Sequence, residues 1–265
     1  MLHLVPAARE MNALVHRLTH QPDESFQALD DTPKLLLACM PKSGSTWMTH
    51  VLEETLGLTP MRGYLEADRN EQEIDPMALF QSWGQKTLFV QQHVRYSRIL
   101  LKLCRAFSTR VVVLTRRLDD VVVSLRDHVE RESAEFAMFY TETSWFTALT
   151  RQRQFDLIVD HAMPWYLNFY VGWMRAMPLH PSRILHVTYE ELLQDSAACV
   201  ARIRDFHGAD GSQALPEDLD RREGTRFNQG RIGRGREELT AEQHARLRDL
   251  AAPYRGVVDL SALGL

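Results

Sequence analysis

The chain has 265 residues, of which 45% are hydrophobic and 25% are charged, so it can bury a substantial core. Its formal net charge of -4 at pH 7 excludes a global basic field that would attract nucleic acid or an anionic membrane surface. No stretch approaches the roughly 20 apolar residues that cross a bilayer. Residues 1–20 also lack the uninterrupted apolar region of a signal peptide. We therefore expect a cytoplasmic protein with no membrane partner.

The first predicted element is a short buried strand, residues 35–39, that runs into a turn rich in glycine, serine and lysine and then into a helix. Pro41 cannot extend the strand, and Gly44 lets the backbone curl without a Cβ penalty. Free amides at the start of the helix would point at one spot, where the helix dipole favours negative charge, and Lys42 adds a positive charge beside it. This arrangement predicts a binding site for an anionic nucleotide.

The order of residues in this turn differs from that of Walker-type kinases and hydrolases. Their loop closes on Gly-Lys-Ser/Thr, whereas Lys42 precedes Gly44 here, and no Walker-type Ser/Thr is paired with a strand-end aspartate that would hold magnesium. Cys39, Cys104 and Cys199 are too widely spaced to match a zinc site or a disulfide framework. We therefore expect no metal, and we retain a metal-dependent nucleotide kinase or hydrolase as an alternative function.

The next predicted elements alternate between strands and helices. A polar connection over residues 59–85 contains two prolines and two glycines, which predicts an irregular or partly helical insertion. A short strand over residues 87–92 ends at His93, and the most apolar strand, residues 110–114, ends just before Arg116. The remaining predicted elements are a helix near residues 99–107, a helix from Leu118 or Asp119, a strand over 183–187 and a helix over 190–206.

This alternation predicts a three-layer α/β fold with a central parallel sheet of about five strands, similar to that of P-loop nucleotide hydrolases. We expect a single domain over residues 1–265, with insertions within 59–85 and 131–180. Ligands of such sheets bind at the carboxyl ends of the strands. Those ends carry four polar groups that would suit a group-transfer enzyme: Lys42, His93, Arg116 and Tyr189.

Two segments resemble the signature motifs of the cytosolic-type sulfotransferases. The chain looks like a bacterial-like member of this family. Residues 41–47 look like the loop that binds the 5′-phosphosulfate of 3′-phosphoadenosine 5′-phosphosulfate (PAPS), the sulfuryl donor of that family. Residues 116–124 resemble its 3′-phosphate segment, in which an arginine follows a buried strand and a serine comes eight residues later. The resemblance implies a PAPS-dependent sulfotransferase whose spent nucleotide is 3′-phosphoadenosine 5′-phosphate (PAP).

The resemblance also implies a role for each matching residue. Lys42 and the amides of the turn would hold the phosphosulfate, and Lys42 would donate to the bridging oxygen as the sulfuryl group leaves. His93 falls where the family keeps its general base, at the end of the second predicted strand. The other implied cofactor-binding residues are Ser43, Gly44, Ser45 and Thr46 at the phosphosulfate, Trp47 and Tyr189 near the purine, and Arg116 and Ser124 at the 3′-phosphate.

The sequence departs from the family pattern at two places. Gln91 replaces the lysine of the family's Lys-Thr-His, so a second lysine near the sulfuryl group is absent. Residues 228–235 match a C-terminal segment, Arg-Lys-Gly-x-x-Gly-x-Trp, in both glycines but not in the basic pair or the tryptophan. We expect Gly230 and Arg231 to contribute to the cofactor site. Because of these departures, a catalytically inactive nucleotide-binding homologue is a second alternative.

The acceptor is predicted from residues 131–181, which hold 11 of the chain's 23 aromatic side chains. Such density would suit an apolar pocket for a flat acceptor, although the helical spacing of Trp165, Phe169 and Trp173 predicts packing against the sheet. We expect a small-molecule phenol or alcohol as the acceptor rather than a large polysaccharide. A histidine is suited to take the proton from such a hydroxyl near neutral pH. The sequence is compatible with a homodimer.

Overall fold

The computed structural model describes residues 28–64, 71–134, 138–208 and 231–265, together with the isolated positions 12, 13, 16 and 20. Within these residues, parallel strands form a sheet in the order β2-β3-β1-β4-β5. The strands are β1 (Lys34–Cys39), β2 (Thr59–Met61), β3 (Thr87–Gln92), β4 (Thr109–Thr115) and β5 (Ile184–Thr188). This architecture confirms the predicted α/β fold with a central parallel sheet of about five strands.

Helices connect the strands and pack against them. In the first half of the chain they are α1 (Ser45–Leu56), α2 (Pro76–Gln81), α3 (Arg98–Ala106) and α4 (Leu118–Arg131). The second half contains α5 (Thr143–Thr147), α6 (Arg151–Leu157), α7 (Met163–Ala176), α8 (Tyr189–Gln194), α9 (Ser196–His207), α10 (Arg234–Glu238) and α11 (Ala241–Ala251), with a π-helical turn (Ile158–Ala162) between α6 and α7. Short 3-10 turns follow at Met177–Leu179, Ala252–Tyr254 and Ser261–Leu263. No helix in the described ranges is long and apolar enough to cross a membrane.

Both faces of the sheet are covered, because successive side chains of a strand point to opposite faces. Leu36 and Ala38 of β1 belong to a large apolar cluster that also contains side chains of α3, α4 and α7. Leu35 and Leu37 belong to a second cluster, which α1 and α9 complete. All residues of β1 are buried, as expected for the central strand of a sheet with helices on both sides.

The connections between strands diverge at the carboxyl ends of β1 and β4. Strands β2 and β3 lie on one side of β1, whereas β4 and β5 lie on the other. In open parallel sheets, such a divergence leaves a crevice in which ligands bind. The turn that begins at Met40 and the side chain of Arg116 flank this crevice, because each directly follows one of the two strands.

Two local features differ from the sequence prediction. The connection over residues 59–85, predicted as irregular or partly helical, contains α2 but also the edge strand β2. The helix predicted over residues 190–206 is two helices, because Asp195 ends α8 and its carboxylate caps α9 by accepting the Ala198 amide at 2.9 Å. The single domain over residues 1–265 stays a prediction.

Candidate active site

The turn after β1 is tight, with two left-handed residues and hydrogen bonds to its own main chain. Lys42 and Gly44 have left-handed φ angles of 64° and 84°. The Ser43 hydroxyl donates to the Met40 carbonyl at 2.6 Å, and the Ser43 amide donates to the same oxygen at 3.3 Å. Gly44 is the N-cap residue of α1 and has no side chain to cap it, so the amides of the first helical turn stay available for an anion.

The ring of Tyr189 lies directly against Gly44. A Cβ on Gly44 would sit 2.7 Å from Cδ2 and 2.8 Å from Cε2 of that ring. Tyr189 is the first residue of α8 and is 4% exposed. Burial raises the pKa of its hydroxyl, which therefore stays protonated. Glycine at position 44 thus provides both the left-handed turn and the space for the tyrosine.

Arg116 connects this turn to the C-terminal part of the chain. Its guanidinium donates from Nη1 to the Lys42 carbonyl at 3.0 Å and from Nη2 to the Arg231 carbonyl at 3.4 Å. Its Cζ atom lies 4.3 Å from the centroid of the Tyr189 ring, a cation–π contact. The Arg116 Nε atom is buried and has no hydrogen-bond partner among the described residues. A buried donor of this kind favours an anionic ligand that can accept its hydrogen bond.

The segment that contains Arg231 is held on α4 by Asp120. One carboxylate oxygen of Asp120 accepts the Gly233 amide at 2.9 Å, and the other accepts the Gly235 amide at 2.8 Å. Ser124 is 4% exposed and lies one helical turn after Asp120, on the same face of α4. Asp120 therefore docks the C-terminal segment beside the residues that were predicted to bind the 3′-phosphate.

The predicted residues near the C-terminus have different outcomes. The side chain of Arg231 is exposed and forms an ion pair with Glu237, while its carbonyl accepts from Arg116. Its predicted contact with the cofactor stays a prediction. Gly230 lies outside the described residues.

The first turn of α1 joins the loop to the core and to β3. Trp47 is 7% exposed and packs in the second apolar cluster, so its ring is mainly a core side chain. Ser45 is buried and interacts with the Cys39 thiol. Thr46 accepts a hydrogen bond at its hydroxyl from Nε2 of Gln91 at 2.6 Å. Gln91, in the place of the family's lysine, thus points at the amide end of α1.

His93 lies at the end of β3, next to the end of β1. Its Nδ1 atom is 2.9 Å from the Cys39 carbonyl, which can only accept, so Nδ1 carries the ring proton and Nε2 keeps a lone pair. Burial lowers the pKa of His93 to about 4, with a smaller contribution in the same direction from the nearby Lys42 ammonium. The imidazole is therefore neutral at neutral pH and can accept a proton at Nε2.

A bulge in β3, which the sequence analysis did not predict, sets the position of His93. Leu36 pairs with Phe89 and Ala38 pairs with Gln92, so β3 has one residue more than β1 between these pairs. Gln91 lies at this point with a left-handed φ of 45°. Bulges re-aim the side chains that follow them. The sequence signal for it is weak: two consecutive glutamines end the apolar run of residues 88–90.

The aromatic helix α7 packs behind the site. Tyr166 is fully buried, and its hydroxyl donates to the Pro41 carbonyl at 3.4 Å. Trp173 is fully buried as well and donates from Nε1 to the Val94 carbonyl at 3.0 Å. Phe169 is likewise buried, and Phe169 and Trp173 pack in the large apolar cluster, as their helical spacing predicted, whereas Trp165 is only partly buried and donates from Nε1 to the Glu71 carboxylate at 2.9 Å. Helix α7 therefore packs against the turn after β1 and against the residues that follow β3.

The described residues contain no group of three or more His, Cys, Asp or Glu side chains that could hold a metal ion. The arrangement combines backbone amides, a lysine and a buried arginine after β1 and β4 with a neutral imidazole after the neighbouring strand β3. It can bind an anionic nucleotide and remove a proton from a second molecule beside it.

Comparisons with known proteins identify the family to which the chain belongs. A family model described as "Sulfotransferase domain" matches residues 32–231. The solved structure of the mouse sulfotransferase SULT7A1 complexed with PAP is similar at a TM-score of 0.59 and 16% sequence identity, over 91% of this chain and 89% of that chain. A sulfotransferase from Alicyclobacillus acidocaldarius gives a TM-score of 0.49 at 16% identity, over 88% of this chain and 99% of that chain. A comparison with curated protein sequences gives no match.

Proposed function

We propose that this chain, which belongs to the sulfotransferase domain family, moves a sulfuryl group from PAPS to a hydroxyl of a small phenol or alcohol. Sulfotransfer follows from the family. The donor, the base and the acceptor class are our proposal. The observation that carries it is the contact of Arg116 with Lys42, because this contact joins the two predicted halves of a PAPS site.

The residues of the crevice fit a nucleotide with phosphate groups at both ends. Amides at the start of α1 and the Lys42 ammonium would hold the 5′-phosphosulfate. The Arg116 guanidinium, whose Nε atom is buried and lacks a hydrogen-bond partner in the described ranges, would donate to the 3′-phosphate together with Ser124. Tyr189 would lie beside the purine. The PAP complex of the mouse sulfotransferase supports this choice of nucleotide.

His93 is the proposed general base. Its neutral form and its Nδ1 hydrogen bond to Cys39 leave Nε2 as the proton acceptor. A neutral hydroxyl attacks poorly, so transfer of its proton to a base within hydrogen-bond reach lowers the barrier. The charge of the nearby Lys42 lowers the pKa of His93, which supports a base beside the proposed sulfuryl site.

The proposed step balances without a metal or a redox partner. PAPS supplies a sulfuryl group on a phosphate leaving group. As the acceptor oxygen forms its bond to sulfur, its proton passes to Nε2 of His93. The bond between sulfur and the bridging oxygen breaks, and its electron pair remains on the phosphate of PAP. Lys42 and the amides at the start of α1 stabilise the charge that develops on that oxygen.

The acceptor is proposed to be small, because aromatic side chains of α7 lie against the turn and against the segment before α2. The Tyr166 hydroxyl donates to the Pro41 carbonyl, and Trp165 donates to the Glu71 carboxylate. A phenol or alcohol beside His93 would approach the sulfur atom from the side opposite the leaving phosphate, as an in-line displacement requires.

A ligand comparison followed by an activity assay tests the proposal. We expect PAP to raise the melting temperature more than ATP does, because a ligand that binds the native state stabilises it. Radiolabelled sulfate should then move from PAPS to members of a phenol and alcohol panel in the presence of a metal chelator. Preference for ATP with magnesium-dependent turnover would favour a kinase or hydrolase, and PAP binding without transfer to any acceptor would favour an inactive homologue. Either result contradicts the proposal.

A further inference from the structure

The segment before α2, residues 71–75, runs beside the end of β3. Gln72 in this segment is 2% exposed. Its main-chain amide donates to the His93 carbonyl at 3.0 Å, and its side-chain Oε1 accepts from the His93 amide at 2.8 Å. Gln92 donates from Nε2 to the Gln72 carbonyl at 2.9 Å. Gln72 therefore binds both main-chain polar groups of His93.

These contacts begin where the sheet ends. Strand β2 pairs with β3 as far as Phe89, and β1 pairs with β3 as far as Gln92. His93 is the next residue, just beyond the bulge at Gln91. A bulge locally disrupts the ladder of hydrogen bonds, so a residue that follows one needs other contacts to hold its direction. Gln72 supplies them from an irregular segment distant in sequence.

The neighbouring residue, Glu71, holds this segment in place. One oxygen of its carboxylate accepts the Arg95 amide at 2.7 Å. The other accepts Nε of Arg95 at 2.6 Å and Nε1 of Trp165 at 2.9 Å. Because Trp165 belongs to α7, these bonds tie the segment both to the chain after β3 and to the helix behind the site. Gln72 is thus fixed from two directions.

We infer that Gln72 is a positioning residue that holds the main chain of His93 so that Nε2 faces the acceptor hydroxyl. This inference rests on the proposed function, in which His93 is the general base. The Cys39 carbonyl fixes the tautomer of the ring, and Gln72 fixes the backbone from which the ring projects. Both restraints are needed, since a reacting group displaced by about 1 Å can lose about 100-fold in rate.

Two substitutions at position 72 test the inference. Gln72→Leu keeps nearly the same size but removes the acceptor for the His93 amide, whereas Gln72→Glu keeps an Oε atom in that place. We expect the leucine variant to lower kcat by about 10- to 100-fold, with the KM for PAPS and the Kd of PAP close to those of the wild type. The glutamate variant should regain most of the lost kcat.

The pH profile of kcat distinguishes positioning from a loss of stability. Among the described residues, the Cys39 thiol on β1 lies 3.5 Å from Nδ1 of the imidazole, and the Lys42 ammonium of the turn is close enough to lower the pKa of the ring. A His93 ring released from its buried position regains a pKa nearer its ordinary value, so the acid limb of kcat should move to higher pH in Gln72→Leu. The control is Asp75→Ala, which removes the cap on the Met77 amide in the same segment and touches neither His93 nor Gln72. Asp75→Ala should lower the melting temperature without moving the acid limb of kcat.

Each outcome decides between the inference and its alternatives. A wild-type kcat and acid limb in Gln72→Leu would overturn the inference, as would an equal shift in Asp75→Ala. If His93→Ala loses activity while Gln72→Leu does not, this inference fails alone, whereas full activity in His93→Ala rejects the proposed base as well. Should Gln72→Leu not fold, Gln72→Asn, one methylene shorter, replaces it, and wild-type kinetics in that variant would reject the inference.

Discussion

The Arg116 guanidinium donates a hydrogen bond to the carbonyl oxygen of Lys42 at 3.0 Å, across 74 residues of sequence. Lys42 has a left-handed φ of 64°, a conformation that costs a residue with a Cβ about 1 to 2 kcal/mol. The hydrogen bond helps to hold that conformation, because it fixes the peptide that follows. The two proposed ends of the nucleotide site, the turn and the arginine, therefore depend on each other.

The first prediction concerns this contact. Arg116→Lys keeps the positive charge. Lysine, however, lacks the planar, forked guanidinium with which Arg116 donates to both carbonyls and would donate to the ligand. We expect the affinity for PAP to fall by about 10- to 100-fold, the range for hydrogen bonds to charged groups. Isothermal titration calorimetry measures it. The control is Arg117→Lys, since that neighbouring arginine bonds to Asp119 instead, and equal losses in both variants would contradict the assignment.

Gly44→Ala should destabilise the protein by about 2 to 4 kcal/mol, because it adds a Cβ to a left-handed residue and drives it into the Tyr189 ring. Gly57→Ala is the matched control. Gly57 also has a positive φ, of 61°, but a Cβ there meets nothing within 4 Å, so about 1 kcal/mol is expected. Urea unfolding measures both. In a double-mutant cycle, Gly44→Ala should cost less stability in a Tyr189→Ala background than in the wild type, and an equal cost in both backgrounds would argue against the clash.

The sequence predicted the parts of this site that local chemistry determines. The strand, turn and helix around Gly44 follow from an apolar run, a proline and a glycine in succession, and Arg116 follows directly after the most apolar strand. It missed the contacts that join distant segments. Gln72 lies in a connection with no periodic pattern, and the Asp120 carboxylate looks like any acidic residue in the first turn of a helix. Such roles depend on tertiary packing, which local patterns do not encode.

The third prediction is the pH dependence of turnover. The base is active when neutral, and burial lowers the pKa of His93 to about 4. Activity should therefore stay level from pH 8 down past the ordinary histidine value and fall as the pH drops through about 4. Measurements of kcat at saturating substrate, with circular dichroism to check folding, test this. An acid limb of kcat near the ordinary histidine pKa would mean that His93 is solvated or is not the base. His93→Ala should lower kcat by about 100- to 10,000-fold.

Lys42 should matter more for the rate than for nucleotide binding. Its charge is proposed to stabilise the leaving oxygen, so Lys42→Ala is expected to lower kcat by about 100-fold or more. The Kd of PAP should change far less, because the amides of the turn remain. Lys42→Arg keeps the charge and should retain more activity than the alanine variant. Parallel losses in kcat and in PAP affinity would indicate that Lys42 acts in binding alone.

The last prediction concerns Asp120, whose two carboxylate oxygens hold the amides of Gly233 and Gly235. Asp120→Ala leaves both buried amides without this acceptor, so the segment should detach from α4 and the Arg231 carbonyl should leave Arg116. We expect PAP affinity to fall by about tenfold or more and trypsin to cleave after the arginines of this segment sooner. Arg234→Gln removes a different anchor of the same segment, its ion pair with Asp127. That control should raise the rate of trypsin cleavage with little effect on the affinity for PAP, because Asp127 lies farther along α4 from Arg116. If Asp120→Ala lowers the melting temperature but leaves PAP affinity unchanged, Asp120 supports the fold and not the nucleotide site.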